Sequence, residues 1–253
     1  LELAMVTTQP TMTETMSEEK VEPFITSDQR RERYAAEVTP DGVVKNKHTL
    51  EALGLKIGHS LLTQEQNEQL DKILKRYKDT VFSHSEFDIG CTQVLEHKID
   101  LLPGSRPVKQ KARSVTQAQE EVIKKGIEKY LKFGVITPAQ SEWASPIVLV
   151  VKSDGSIRFC LDFRVVNRMS KVDTFGPADQ RQLLTSLRKA TIYSSLDFSS
   201  AYWQILMELG SRELTTFITP SQGSFQFTSM PFGLVNTGAT FCRLINFVLQ
   251  KYI

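Results

Sequence analysis

Cysteine, tryptophan and long apolar runs are scarce in this sequence, and each scarcity excludes something. Three cysteines, Cys91, Cys160 and Cys242, occur in 253 residues. They are widely spaced and odd in number, which argues against a disulfide framework and fits a reducing compartment. The longest apolar run, Pro146-Ile-Val-Leu-Val-Val151, falls far short of the roughly 20 residues that span a bilayer. Residues 1–10 lack the basic stretch and apolar segment of a secretory signal. The sequence therefore reads as a soluble intracellular chain, cytoplasmic first, with the nucleus as the other compartment. Net charge is also small, at +2, but that figure hides an asymmetry.

Residues 1–100 carry a balance of −6 and residues 101–253 one of +8. Within 101–133 lie Arg106, Lys109, Lys111, Arg113, Lys124, Lys125, Lys129 and Lys132 against three acidic residues. Two readings stand at this level: an electrostatic footprint for phosphates, or the solvated face of a helix. Hydrophobic residues make up 40% and charged residues 24%, a globular composition that excludes collagen, coiled coil and a fully disordered chain. The length accommodates one large domain or two ordinary ones.

Residues 1–47 are rich in Thr, Glu, Gln and Pro with no sustained apolar period, the composition of a mobile lead-in or linker. Structure is expected from about Leu50. Thr63 with Gln66 has the form of a capping box. It opens a helix with Leu70, Ile73, Leu74 and Tyr77 on one face. A second helix is expected over 117–133, burying Ile123, Ile127, Tyr130 and Leu131. Gly126 inside it costs about 1 kcal/mol relative to Ala. Beyond Pro138 the pattern changes to strands. Pro146 to Val151 runs into a turn at Asp154-Gly155, after which Ile157, Phe159 and Leu161 alternate with Arg158, Cys160 and Asp162. Leu183, Leu184 and Leu187 mark a short helix. Residues 191–198 read as a strand, with Ile192, Leu196 and Phe198 on one face and Tyr193, Ser195 and Asp197 on the other. A hairpin over 214–230 turns near Gln222-Gly223. The last helix, capped by Asn236, carries Phe241, Leu244, Ile245, Val248 and Leu249 on one face. No solenoid or propeller repeat is present. Strands and helices without regular βαβ alternation give an α+β fold.

Asp197 stands at a strand-to-helix junction, where a carboxylate either caps the helix or holds a hard divalent cation. Its context is Leu196-Asp197-Phe198-Ser199-Ser200-Ala201-Tyr202-Trp203-Gln204-Ile205. This block resembles the first catalytic motif of reverse transcriptases, specifically those of gypsy-type LTR retrotransposons. Trp143-Ala-Ser-Pro-Ile-Val-Leu-Val-Val-Lys152 through Asp154-Gly-Ser-Ile-Arg158-Phe-Cys-Leu-Asp162-Phe-Arg164-Val-Val-Asn167 resembles the fingers hairpin of that family. Phe225-Gln-Phe227-Thr-Ser-Met230-Pro231-Phe232-Gly233-Leu234 with Ala239-Thr-Phe241 is similar to the palm segment beneath the nucleotide. Asp88-Ile-Gly-Cys91 to His97-Lys-Ile99 resembles the stretch that precedes the polymerase. These four ordered blocks cover about residues 70–253.

The resemblance implies a right-hand polymerase, with an antiparallel sheet packed on helices. Its segments would be a lead-in (1–47), a helical segment (48–100), fingers (101–175) and a partial palm (176–253). It implies template-directed nucleotidyl transfer from dNTPs to a primer 3′-hydroxyl on RNA or DNA, with Mg²⁺ bound by Asp197 and the carbonyl of Phe198. Backbone N–H groups of Ser200 and Ala201 would meet the triphosphate at a helix N-terminus. Tyr202 would exclude a 2′-hydroxyl, Phe232 and Gly233 would touch nucleotide and template, and Lys152 and Arg158 would clamp the phosphates. A two-residue turn at Asp154-Gly155 sets Lys152 opposite Ile157. A three-residue loop sets it opposite Arg158. Asp162 and Arg164 read as an internal ion pair. His84, Cys91 and His97 have no familiar zinc spacing, and Cys160 and Cys242 read as core thiols.

The family's Tyr-x-Asp-Asp hairpin is expected beyond the helix near Tyr252, whereas the sequence ends at Ile253 and has no Asp or Glu after Glu213. The expectation is a fragment that is inactive alone. Phe175-Gly-Pro-Ala-Asp179, Leu214 and Thr237-Gly238 depart from the family's Tyr-Pro-Leu-Pro-like segment, Lys and Ala-Pro. The alternatives are a non-catalytic nucleic-acid-binding or interaction module derived from a transposon, or a functionless remnant.

Overall fold

The computed structural model describes residues 2–3, 29, 62–83, 88–151, 153, 155, 157–177, 179–188, 193–194 and 197–250. Among them are five α-helices: α1 (Gln64–Val81), α2 (Gln117–Lys132), α3 (Arg164–Met169), α4 (Gln180–Leu187) and α5 (Thr237–Leu249). The strands are β1 (Glu2–Leu3), β2 (Glu96–His97), β3 (Ile136–Pro138), β4 (Ser145–Val151), β5 (Ile157–Leu161), β6 (Tyr193–Ser194), β7 (Leu206–Met207), β8 (Phe217–Ile218) and β9 (Ser224–Phe227). The class is α+β. No helix among the described residues is long and apolar enough to cross a membrane. Apart from β1 and residue 29, the lead-in lies outside the described residues, as does His84.

The chain divides into two compact units. One gathers Glu32–Ile89 and Asp179–Ser199 with Leu1–Val21; the other gathers Gly90–Ala178 and Ser200–Ile253 with Glu22–Arg31. In the first, α1 begins where the capping box places it: Gln66 N donates to Thr63 Oγ1 (3.3 Å) and Thr63 N to Gln66 Oε1 (2.9 Å). The Asp179 carboxylate caps α4 by accepting from Arg181 N at 2.8 Å, and β1 pairs with β6 in parallel.

The second unit is built on a five-stranded sheet of order β3-β9-β8-β4-β5. It is mixed, not wholly antiparallel as expected: β4 and β8 run parallel, Ser145 opposite Phe217 and Pro146 opposite Ile218. The long crossover between them allows this, because parallel neighbours cannot be joined by a tight turn. The β8–β9 hairpin turns at Gly223 (φ 85°) as expected. Helix α2 opens on a second capping box, Thr116 with Gln119, and buries Ile123 and Ile127; Tyr130 and Leu131 are half-buried. A Cβ on Gly126 would lie 3.2 Å from Phe159 Cδ2. The glycine that weakens the helix locally is what lets α2 approach β5.

Aromatic rings fill the core. The Tyr130 ring sits 5.0 Å from Trp203 and 5.3 Å from Phe159, both edge-on, and Phe217 stacks on Phe225 at 5.9 Å. Such offset and edge contacts add about 0.5–1.5 kcal/mol each beyond area burial. Beside the sheet, β2 pairs in parallel with β7. This places His97 against α5, fully buried, with Nδ1 2.8 Å from Thr240 Oγ1.

Candidate functional site

The β4–β5 hairpin forms, but in neither anticipated register. Val151 pairs with Ile157 and Val150 with Arg158, so five residues connect the strands and Arg158 faces a valine. Lys152 and Asp154 lie outside the described residues. The hairpin's base is buried, while Val150, Val151, Ile157 and Arg158 at its outer end are exposed.

Beyond β5 the chain meets a carboxylate with two guanidinium partners. Asp162 Oδ2 accepts from Arg164 Nη2 (2.7 Å) and Arg113 Nη2 (2.7 Å), and Oδ1 accepts from Arg164 Nε at 2.8 Å. The hydrogen bond from Arg164 comes first among the causes that hold the Asp162 carboxyl down to about 2. The expected pair is therefore a triad, with Arg113 the member that sequence reasoning missed. The aspartate side chain is buried, while both guanidiniums keep an exposed side.

One turn further, α3 delivers Asn167, another residue to which the sequence assigned no role. Its Nδ2 donates to the Gly233 carbonyl (2.8 Å) and its Oδ1 accepts from Val235 N (2.9 Å). Gly233 has φ 95°, a left-handed conformation cheap only for glycine. This two-point clamp holds the 231–235 loop so that Phe232 stays 59% exposed. The Phe232 ring lies 5.0 Å from Tyr202, whose other neighbour is Phe241 at 5.7 Å. Asn236 occupies the N-cap position of α5 as expected, but its side chain makes no capping bond. Its Nδ2 donates to the Lys171 carbonyl (2.7 Å) and its Oδ1 accepts from Asp173 N (2.9 Å). An Asn side chain offers both donor and acceptor, and here it ties two loops together.

The run after Asp197 also differs from expectation. Asp197 and Phe198 are exposed and lie outside any strand; the strand of that region is β6, ending at Ser194. Ser200 is left-handed (φ 49°), and Ala201–Gln204 form a single 3₁₀ turn in place of the expected helix. The α-helix fails because the next residues are claimed by strand pairing: β7 joins β2, and Met230 N donates to the Ile205 carbonyl at 2.8 Å. Ser200 and Ala201 therefore sit at the start of a four-residue turn, whose dipole is far smaller than an α-helix's. The second unit thus brings together Tyr202, Phe232 and Gly233, with Ser200 and Ala201 leading into the Tyr202 turn. Asp197 and Phe198 belong to the first.

Residues 150–253 match the family model described as reverse transcriptase (RNA-dependent DNA polymerase). The chain is 28% identical over 229 residues to the enzymatic polyprotein of cauliflower mosaic virus (strain D/H), covering 88% of this chain and 33% of that protein. It is 30% identical over 183 residues to the retrovirus-related Pol polyprotein from transposon 412 of Drosophila melanogaster, covering 70% of this chain and 15% of that one. Its fold is similar to the foamy viral protease-reverse transcriptase solved in complex with an RNA/DNA hybrid, with a TM-score of 0.65 at 22% identity over 84% of this chain and 28% of that one. Residues 150–253 are thus similar in sequence to reverse transcriptase domains, and the relatives that align over most of the chain are viral and transposon polyproteins. The chain spans about a third of the cauliflower mosaic virus polyprotein and less of the transposon one.

Proposed function

We propose that this chain is part of an RNA-directed DNA polymerase of the gypsy type, contributing fingers (101–175) and part of a palm (176–253) to nucleotidyl transfer from dNTPs onto a primer paired with an RNA or DNA template. The observation that carries the proposal is the platform of Tyr202 against exposed Phe232, on a loop clamped by Asn167. A rigid, solvent-facing aromatic pair is suited to a nucleotide's sugar and base, because its rotamers are already restricted before binding. Tyr202 would crowd a 2′-hydroxyl, while Phe232 and Gly233 would meet nucleotide and template. Ser200 and Ala201 would offer backbone N–H groups to the phosphates, and Lys152 and Arg158 would supply positive charge.

The reading implies Mg²⁺ at Asp197 with the Phe198 carbonyl. Both groups are oxygen donors, as Mg²⁺ prefers. No group of three or more His, Cys, Asp or Glu among the described residues could hold a metal, however, and residues 214–253 contain no Asp or Glu. These residues do not by themselves fit a two-cation centre, so no catalytic step is assigned through the metal.

A primer-extension assay on an oligo(dT)-primed RNA template tests the reading. This chain alone should give no Mg²⁺-dependent synthesis, and robust incorporation would overturn the fragment assignment. In a longer parent polyprotein, Asp197→Asn should abolish synthesis with template binding retained. Tyr202→Ala should admit ribonucleotides; unchanged sugar discrimination there would remove Tyr202 from its gate role.

A non-catalytic nucleic-acid-binding module is the second reading, favoured by the exposure of Arg106, Lys109, Lys111, Arg113, Lys125, Lys129 and Lys132. It predicts primer–template affinity that falls steeply with salt through counterion release. A flat salt response counts against it.

A further inference from the structure

Two asparagines join the same two stretches of chain, and they do so in opposite directions. Asn167, in α3, donates to the Gly233 carbonyl and accepts from Val235 N. Asn236, where that loop meets α5, returns the exchange: its Nδ2 donates to the Lys171 carbonyl at 2.7 Å and its Oδ1 accepts from Asp173 N at 2.9 Å. Each side chain satisfies one carbonyl and one N–H of the opposite stretch, so 167–173 and 233–236 clasp each other reciprocally. The stretch that receives Asn236 is itself fixed, because Lys171 N donates to the Asp100 carbonyl and Leu102 N to the Met169 carbonyl, both at 2.7 Å. Arg243, on α5, adds an ion pair to Asp173 at 2.7 Å and lies over the Phe175 ring.

Two attachments constrain a loop in a way that one does not. An amide bonded at Gly233 and Val235 alone leaves the loop free to pivot about that point, and a second one bonded at Lys171 and Asp173 removes the pivot. Phe232 is the residue next to the first attachment. On its other side Met230 N donates to the Ile205 carbonyl at 2.8 Å. The exposed Phe232 ring is therefore carried by a segment anchored at both ends, 5.0 Å from Tyr202 and 6.2 Å from Trp203. An amide side chain suits position 236 because it both donates and accepts. Alanine there would leave the Lys171 carbonyl and the Asp173 N–H without their partner.

We propose that Asn236 is a positioning residue of the nucleotide platform, acting through Phe232 and Gly233 by means of the reciprocal clasp with Asn167. The proposal rests on the polymerase reading for what the platform binds. Ordering a loose loop at the moment of binding costs affinity. An interaction made equally in the ground state and the transition state shows in KM and not in kcat. Loss of the clasp should therefore weaken nucleotide binding and leave the chemical step alone.

Amide hydrogen exchange of the whole chain and primer extension by a longer parent polyprotein test this together. In the chain, Asn236→Ala should speed exchange of the Val235 N–H about tenfold, although that N–H is bonded to Asn167 and not to the residue replaced; exchange in α2 should not change. In the parent, Asn236→Ala should raise the dNTP KM about tenfold with kcat within about twofold and primer–template affinity unchanged. Adding Asn167→Ala should raise KM by less than the product of the separate effects, because both side chains hold one loop. Ile127→Val, which loosens the core elsewhere, should leave KM at the wild-type value. A Val235 N–H that exchanges at the wild-type rate in Asn236→Ala overturns the clasp. Faster exchange with an unchanged dNTP KM in an active parent shows a purely structural role and overturns the proposal, as does a KM raised equally by Ile127→Val. A wild-type parent that extends no primer overturns the polymerase reading instead, and with it the nucleotide as the platform's ligand.

Discussion

Among the described residues, apolar side chains meet different fates in the two units. In the second, apolar side chains from α2, the sheet and the loop after β9 converge on one another: Phe163, Phe217, Phe227, Ile205 and Leu206 are all essentially inaccessible. In the first, α1 and α4 are well capped, yet Ile73, Val81, Leu184 and Leu187 face solvent. Good local helix signals therefore do not by themselves bury a helix's apolar side chains. Capping and periodicity make a helix, whereas burial needs a partner surface at the right distance. The second unit also supplies polar side chains, Asn167, Asn236 and Asp162, that satisfy loop backbone and charge where strands end. Its candidate site inherits that rigidity.

The contrast is sharpest at matched residues. Truncating Phe227→Ala should cost about 3–5 kcal/mol in urea denaturation, because the ring is buried between Phe217 and Tyr130. Ile73→Ala should change stability by no more than about 0.5 kcal/mol. Comparable losses at the two sites would erase the distinction drawn here.

Acid should act next most strongly, and through the second unit. Burial lowers the His97 imidazole from its ordinary 6.5 to about 4, so between those values the unfolded chain binds a proton that the folded chain refuses. Stability is complete above pH 6.5 and falls as pH drops towards 4, by roughly 3 kcal/mol in all. His97→Gln should flatten the slope of unfolding free energy over that window; a slope that persists unchanged would place its origin elsewhere.

Asn167→Ala comes third. It releases the Gly233 carbonyl and the Val235 N–H, both near solvent, so the cost should be about 1–2 kcal/mol. The more telling measurement is amide hydrogen exchange, which should accelerate at 232–235 and not in α2. The smallest effect is expected at Gly126→Ala. A gain of up to about 1 kcal/mol in helix propensity is offset by the approach to Phe159, leaving stability close to wild type in the same denaturant assay.

Much of the architecture was legible in the sequence. The start of α1, the span of α2, the short helix around Leu183–Leu187 and the turn at Gly223 follow from signals within a few residues of each other. The α+β class and the reverse transcriptase resemblance were legible for the same reason, since they rest on ordered local blocks. What misled was competition between neighbours. Residues 201–205 have a helix-like start, but Ile205 to Met207 are worth more as strand pairing beneath the sheet, so only a 3₁₀ turn forms. Asn236 marks the start of α5 correctly, but its side chain is spent on two loop backbones and not on the helix end. At the β4–β5 tip the Asp-Gly signal marked the hairpin but not its register, because turn residues alone do not decide how far strand pairing runs.

The sequence by itself determined the capping box that opens α1, the span of α2, the hairpin at Gly223, the charge reversal along α1 and the resemblance that the motif blocks carry. All of these depend on residues adjacent on the chain or one helical turn apart. Only the tertiary structure decided that Arg113 joins Asp162 and Arg164, that β4 lies parallel to β8, and that Asn167 holds Gly233 while Tyr202 packs on Phe232. Those contacts join residues from 30 (Tyr202 with Phe232) to 72 (Ser145 with Phe217) positions apart. Their cost is the entropy of closing long loops, and it is met by burying many apolar groups together, which no local pattern records.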